Sequence, residues 1–171
     1  MTIATLAIAV LGVLLSALSL GWQAATFVLT GGRVRAELRA GGIDPGGGMV
    51  TGPAKDMSLR QANELKAQGF TRPVVAVQVR NVGRLPVVIT GWSLVTEPGG
   101  VGFHPMADSI GPPLDHRLEA GAPAIWAVDG GAAQRLVRVT AEALNVPPDR
   151  IRLRGRVSLG TGRNVDTRET L

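Results

Sequence analysis

Residues 3–29, IATLAIAVLGVLLSALSLGWQAATFVL, decide how the rest of the chain is read. No Asp, Glu, Lys or Arg occurs before Arg33. Within residues 3–20 only Thr5, Gly12, Ser16 and Ser19 interrupt the apolar side chains. As a helix that run covers about 27 Å, close to the thickness of a hydrocarbon core. A helix pairs its backbone polar groups internally, as lipid requires. Trp22 stands where an indole suits the headgroup level, and Arg33 and Arg35 come next as interface cations. The expectation is one transmembrane anchor helix over residues 1–30, with the lipid bilayer as the partner of residues 3–29.

A cleaved signal peptide needs a basic leader, a shorter apolar core and a small-x-small cleavage site. The run lacks all three, which favours an uncleaved anchor; abundant Ala, Gly, Val and Arg with little Lys suggest a bacterial chain, so the expected location is a bacterial cell membrane. Basic residues prefer the cytoplasmic side, so Arg33, Arg35 and Arg39 place residues 31–171 in the cytoplasm rather than outside. Gly12/Ser16 and Ala17/Gly21 are small-xxx-small pairs of the kind that let two helices approach, so helix-mediated self-association is a further expectation.

Outward from the anchor, residues 31–171 suffice for one domain with a core of its own. The chain has 18 Lys+Arg against 13 Asp+Glu, a net charge of +5, and all of these lie beyond the anchor. There is no Cys, which excludes disulfides, thiolate zinc sites and cysteine nucleophiles. Three Trp, three Phe and no Tyr argue against a base-stacking surface, so nucleic acid is not an expected partner of the aromatic side chains.

Residues 33–40 alternate, with Val34, Ala36 and Leu38 on one face, and predict a half-buried strand. Residues 41–54, GGIDPGGGMVTGPA, predict a loop. Gly47 and Gly52 have P-loop spacing, but Pro53 stands where the lysine belongs. Residues 58–68 predict a short helix capped by Ser58 and Gln61, ended by Gly69, with Leu59, Ala62 and Leu65 inward. Together 41–70 read as an insertion.

Residues 73–82 and 85–96 predict two strands joined as a hairpin, the second one central because it is apolar on both faces. Residues 98–114 are broken by four prolines. Short strands are expected at 117–119 and 124–128. A helix is expected at 131–145, capped by Asp129, with Leu136, Val139, Thr140 and Ala143 on one face. Residues 150–159 predict a strand with Ile151, Leu153, Val157 and Leu159 inward and its arginines outward. Residues 163–171 read as a last strand or a frayed tail. The fold class is mainly β: alternating strands with turn signals suit an antiparallel sandwich with two short helices.

The segment VAVQVRNVGRLPVVITGWSL resembles the V-x-V-x-N-x-G-R-x-P-V-x-I hairpin of small uncharacterised actinobacterial membrane-anchored proteins. The match runs through Val77, Val79, Asn81, Gly83, Arg84, Pro86, Val87 and Ile89. RLEAGAPAIWAV, at 117–128, resembles a second segment of the same proteins. The resemblance implies an immunoglobulin-like β-sandwich domain behind the helix and brings no activity with it.

Two constellations carry candidate chemistry. Arg150, Arg152, Arg154 and Arg156 recur at strand spacing, and a row of guanidinium groups suits phosphate or carboxylate. His104, Asp108, Asp115 and His116 supply metal-ligand types in one loop, at no established spacing. Ser93 lacks the second glycine of a nucleophile elbow. No catalytic pair and no cofactor is expected. The leading expectation is a membrane-tethered, non-enzymatic binding or assembly module for a protein partner. The alternatives are docking on an anionic surface, phospholipid or nucleic acid, through the arginine strand, and a metal-dependent hydrolase at the His104/His116 loop.

Overall fold

The computed structural model describes residues 2–106 and 109–171, without the side chains of 27–30 and Leu59. Helix α1 spans Ile3–Thr30, 28 residues, and among the described side chains none belongs to the core. Its apolar side chains stand outward on all sides, from Ile3 and Leu6 to Leu20 and Trp22. Over residues 3–26 it is long and apolar enough to cross a membrane.

Residues 31–33 lead directly into β1 (Val34–Ile43). Then come β2 (Met49–Pro53), α2 (Leu59–Ala67), β3 (Arg72–Asn81), β4 (Val87–Glu97), β5 (Gly102–Phe103), β6 (His116–Leu118), β7 (Pro123–Asp129), α3 (Gly130–Leu144), β8 (Arg152–Leu159) and β9 (Asn164–Asp166). One antiparallel sheet has the order β2-β1-β3-β7. The other has the order β5-β4-β8-β9, with β6 beside β4. The two sheets share one core. Leu38, Val77, Val79 and Trp126 of the first meet Ile89, Leu94, Leu153 and Val157 of the second in a single cluster.

The alternation expected for β1 is present: Ala36, Leu38 and Ala40 are buried. The loop expectation for 41–54 is corrected. β1 continues through Gly41 and Gly42, and β2 returns beside it, pairing Gly41 with Thr51. Glycine is needed because a Cβ on Gly41 would fall 1.9 Å from the Val50 carbonyl oxygen, and one on Gly42 2.9 Å from Phe70 Cβ. Composition suggests a loop where close backbone approach is the reason for the glycines.

The expected hairpin of β3 with β4 is also corrected, because the two strands lie in different sheets. Asn81 turns the corner. Its Oδ1 accepts from Gly83 N–H at 3.0 Å, and its Nδ2 donates to the carbonyls of Leu85 at 2.8 Å and Leu118 at 3.1 Å. Gly83 packs against the linker, where a Cβ would sit 2.4 Å from both Arg33 N and Gly31 O.

β4 is central, between β8 on one side and β5 and β6 on the other. Its apolar run at 87–89 is not buried on both faces: Val87 and Ile89 face the core, while Val88 is 39% exposed. The register slips between Ile89 and Gly91, and Trp92, Leu94 and Thr96 continue the buried side beyond it.

Helix α2 has the expected capping box: Gln61 N–H reaches Ser58 Oγ at 3.3 Å, and Ser58 N–H reaches Gln61 Oε1 at 2.9 Å. Leu65 is half-buried and Ala62 exposed, while the Leu59 side chain lies outside the described residues. Asp129 caps α3, accepting from Gly131 N–H at 2.8 Å, and Asn145 closes it in the left-handed region at φ 52. The inward stripe of α3 is Ala132, Ala133, Leu136, Thr140 and Ala141. Val139 and Ala143 face outward, so the stripe is rotated by about one residue from the expected one.

Candidate functional site

β8 buries Leu153, Val157 and Leu159, so its intervening arginines face away from the core. They do not form an open row. Arg150 ends a short 3-10 turn ahead of the strand. Arg152 is exposed near the strand's start. Arg154 donates from Nη2 to Glu97 Oε2 at 2.8 Å across β4. Arg156 grips Asp166 of β9 with both prongs, Nε to Oδ1 at 2.7 Å and Nη2 to Oδ2 at 2.9 Å. The hydrogen bonds from Arg156 hold the Asp166 carboxyl below the usual carboxylate range, against the opposing effect of burial. The same hydrogen bonding raises the Arg156 guanidinium. Glu97 and Asp166 thus already supply the anions for Arg154 and Arg156.

The loop candidates are dispersed. His116 opens β6, with its ring edge-on to Trp126 at 5.9 Å between centroids and 78° between planes. His104 lies just after β5, its Nε2 facing Gly102. Asp115 occupies a left-handed turn position at φ 62. Asp108 lies outside the described residues. Among the described residues no three His, Asp or Glu side chains gather to hold a metal. The same loop serves the core: Ser109 Oγ accepts from Trp92 Nε1 at 3.0 Å, and the Pro112 carbonyl accepts from Trp126 Nε1 at 2.8 Å. Buried indole N–H groups need such partners.

A third place has no signature in the sequence. A cleft of about 1040 Å3 opens between α2 and α3, over the ends of β1 and β3. Leu65, Phe70, Val74 and Val137 give it apolar walls. Its charged lining side chains are Lys66, Arg135 and Arg138, with no Asp or Glu among the described lining residues. None of those three cations takes part in an ion pair among the described residues. Such a cleft suits a ligand with an apolar body and a negative charge. Its components lie far apart in the chain, and no local motif announces it.

Trp22 stands exposed on α1, eight residues before the helix ends. Arg33 and Arg35 flank the start of β1, both exposed. No protein-family model, curated protein or solved structure matches the chain.

Proposed function

We propose that the chain is a single-pass membrane protein whose immunoglobulin-like sandwich domain is a non-enzymatic binding module. The observation that carries this reading is α1. It is a charge-free helix of 28 residues whose apolar side chains, among the described residues, stand outside the core. Exposing that many large apolar groups to water is strongly unfavourable, and a bilayer removes the cost. The two antiparallel sheets with a shared core, and the crossing from β3 to β4 between them, support the sandwich assignment. The cleft between α2 and α3 supports binding, and its Lys66, Arg135 and Arg138, in no ion pair among the described residues, favour an apolar partner segment bearing acidic residues.

The test uses the full chain in lipid nanodiscs and a fluorescent amphipathic peptide with acidic and leucine side chains. Saturable binding that drops about tenfold or more in Arg135→Glu/Arg138→Glu supports the cleft. Equal binding to the wild type and to that variant contradicts it.

A further inference from the structure

The strand register gathers one kind of charge at one end of the domain. β1, β4 and β7 begin there, and β3, β6 and β8 end there. The termini and turns at this end, residues 31–35, 80–88, 117–123 and 158–164, carry Arg33, Arg35, Arg80, Arg84, Arg117 and Arg163. All six are exposed. Their one acidic side chain is Glu119, which Arg117 Nε already binds at 2.7 Å. Arg35 and Arg80 stand directly opposite each other across β1 and β3. Like charges so placed repel. The nearby Glu37 is in contact with Arg39 at 3.7 Å. None of Arg33, Arg35, Arg80, Arg84 and Arg163 takes part in an ion pair among the described residues.

This is the end at which α1 attaches. Only residues 31–33 separate the helix from β1, a reach of about 10 Å when extended. The Arg33 carbonyl is itself held by the turn after β3, accepting from Val82 N–H at 2.7 Å and Gly83 N–H at 3.1 Å. That turn presents Val82, 47% exposed, and Leu85, 53% exposed, between the arginines. The 28 residues of α1 span about 42 Å, enough for a bilayer including its headgroups, so its last turn emerges at headgroup level.

We infer that this arginine-rich end docks on the bilayer surface that α1 enters, binding the phosphates of anionic lipids while Val82 and Leu85 enter the headgroup layer. The inference rests on α1 being a membrane anchor. Basic side chains beside an anionic leaflet attract it strongly, and a tether of three residues keeps the end near that surface. The site differs from the β8 arginines, two of which have carboxylates on them.

The absence of Cys lets Leu85→Cys carry a single fluorophore on the full chain. The labelled chain is reconstituted into phosphatidylcholine vesicles with or without phosphatidylglycerol. Flotation reports anchoring, and quenching by a headgroup-labelled lipid reports docking. The expected result is flotation with both lipids, with quenching much stronger on the anionic vesicles and reduced by salt. Arg84→Gln should lower the docked-to-undocked ratio about fivefold, and Arg84→Gln/Arg163→Gln about fivefold further. Arg152→Gln, at the opposite end of β8, should leave it unchanged. Flotation with quenching indifferent to lipid charge, or to the double substitution, overturns the docking alone. A chain that fails to float with neutral vesicles overturns the anchor and the docking with it.

Discussion

The side-chain amide of Asn81, the last residue of β3, donates to the carbonyl of Leu118, the last residue of β6, at 3.1 Å. Both residues are essentially buried, at 0% and 1% exposure, and they belong to different sheets. The bond therefore ties the two layers at the end where the anchor joins.

Asn81→Ala should cost about 2 kcal/mol, since it takes the amide donor from the Leu85 and Leu118 carbonyls, while Gly83 N–H keeps the Arg33 carbonyl as acceptor. Asn81→Asp should be no milder: it keeps the acceptor but turns a carboxylate toward two carbonyls. Chemical denaturation measures both. A loss below about 1 kcal/mol would show that the corner does not depend on the amide.

Gly155 of β8 faces Val77 of β3 across the core. A Cβ there would lie 2.5 Å from Val77 Cγ2 and 3.0 Å from Thr167 Cγ2. Gly155→Ala should cost about 1–3 kcal/mol through overpacking. Adding Val77→Ala should relieve part of that, giving a coupling of at least about 0.5 kcal/mol in a double-mutant cycle. Simple additivity would argue against contact between the sheets at this point.

Acid should weaken the domain partly through Asp166. Its folded-state carboxyl titrates below the ordinary range because Arg156 donates two hydrogen bonds to it. A depressed carboxyl adds stability that is fully present above the ordinary carboxylate pKa, and loses it as pH falls through the folded value. Both side chains are about a third or more exposed, so the pair is worth at most about 1 kcal/mol. The stability gap between wild type and Asp166→Asn should be present at neutral pH and shrink below the carboxylate range. A gap independent of pH would show that the ion pair contributes nothing to acid sensitivity.

What the sequence showed was what short-range pattern controls. The uncharged run of α1, the alternation of Ala36 and Leu38, the Ser58–Gln61 box and the inward Leu153, Val157 and Leu159 all depend on neighbours within a few residues. What it hid depended on distant partners. Gly41 and Gly42 belong in a strand because Val50 and Phe70 approach them. The turn after β3 changes sheets because Asn81 binds Leu118, 37 residues away. Arg154 and Arg156 were visible as an alternating row, but Glu97 and Asp166 reach them only through the β4–β8–β9 pairing. The α2–α3 cleft exists only once both helices pack over the first sheet.

Asp129→Ala should remove the cap from α3 and cost about 1 kcal/mol, read as a lower denaturation midpoint. Because Gly130, Gly131 and Arg135 line the cleft, the same change should also weaken binding of the acidic amphipathic peptide. Peptide affinity unchanged alongside the lower midpoint would separate the helix start from the binding surface.

The most direct measurement is alkaline extraction of membranes from cells expressing the full chain, with intact-mass determination of the retained protein. The expected result is the chain in the membrane pellet with residues 3–30 still attached, and a soluble, folded domain when residues 1–30 are deleted. Recovery of the full chain in the supernatant, or of a mature protein that begins after α1, would contradict the membrane anchor.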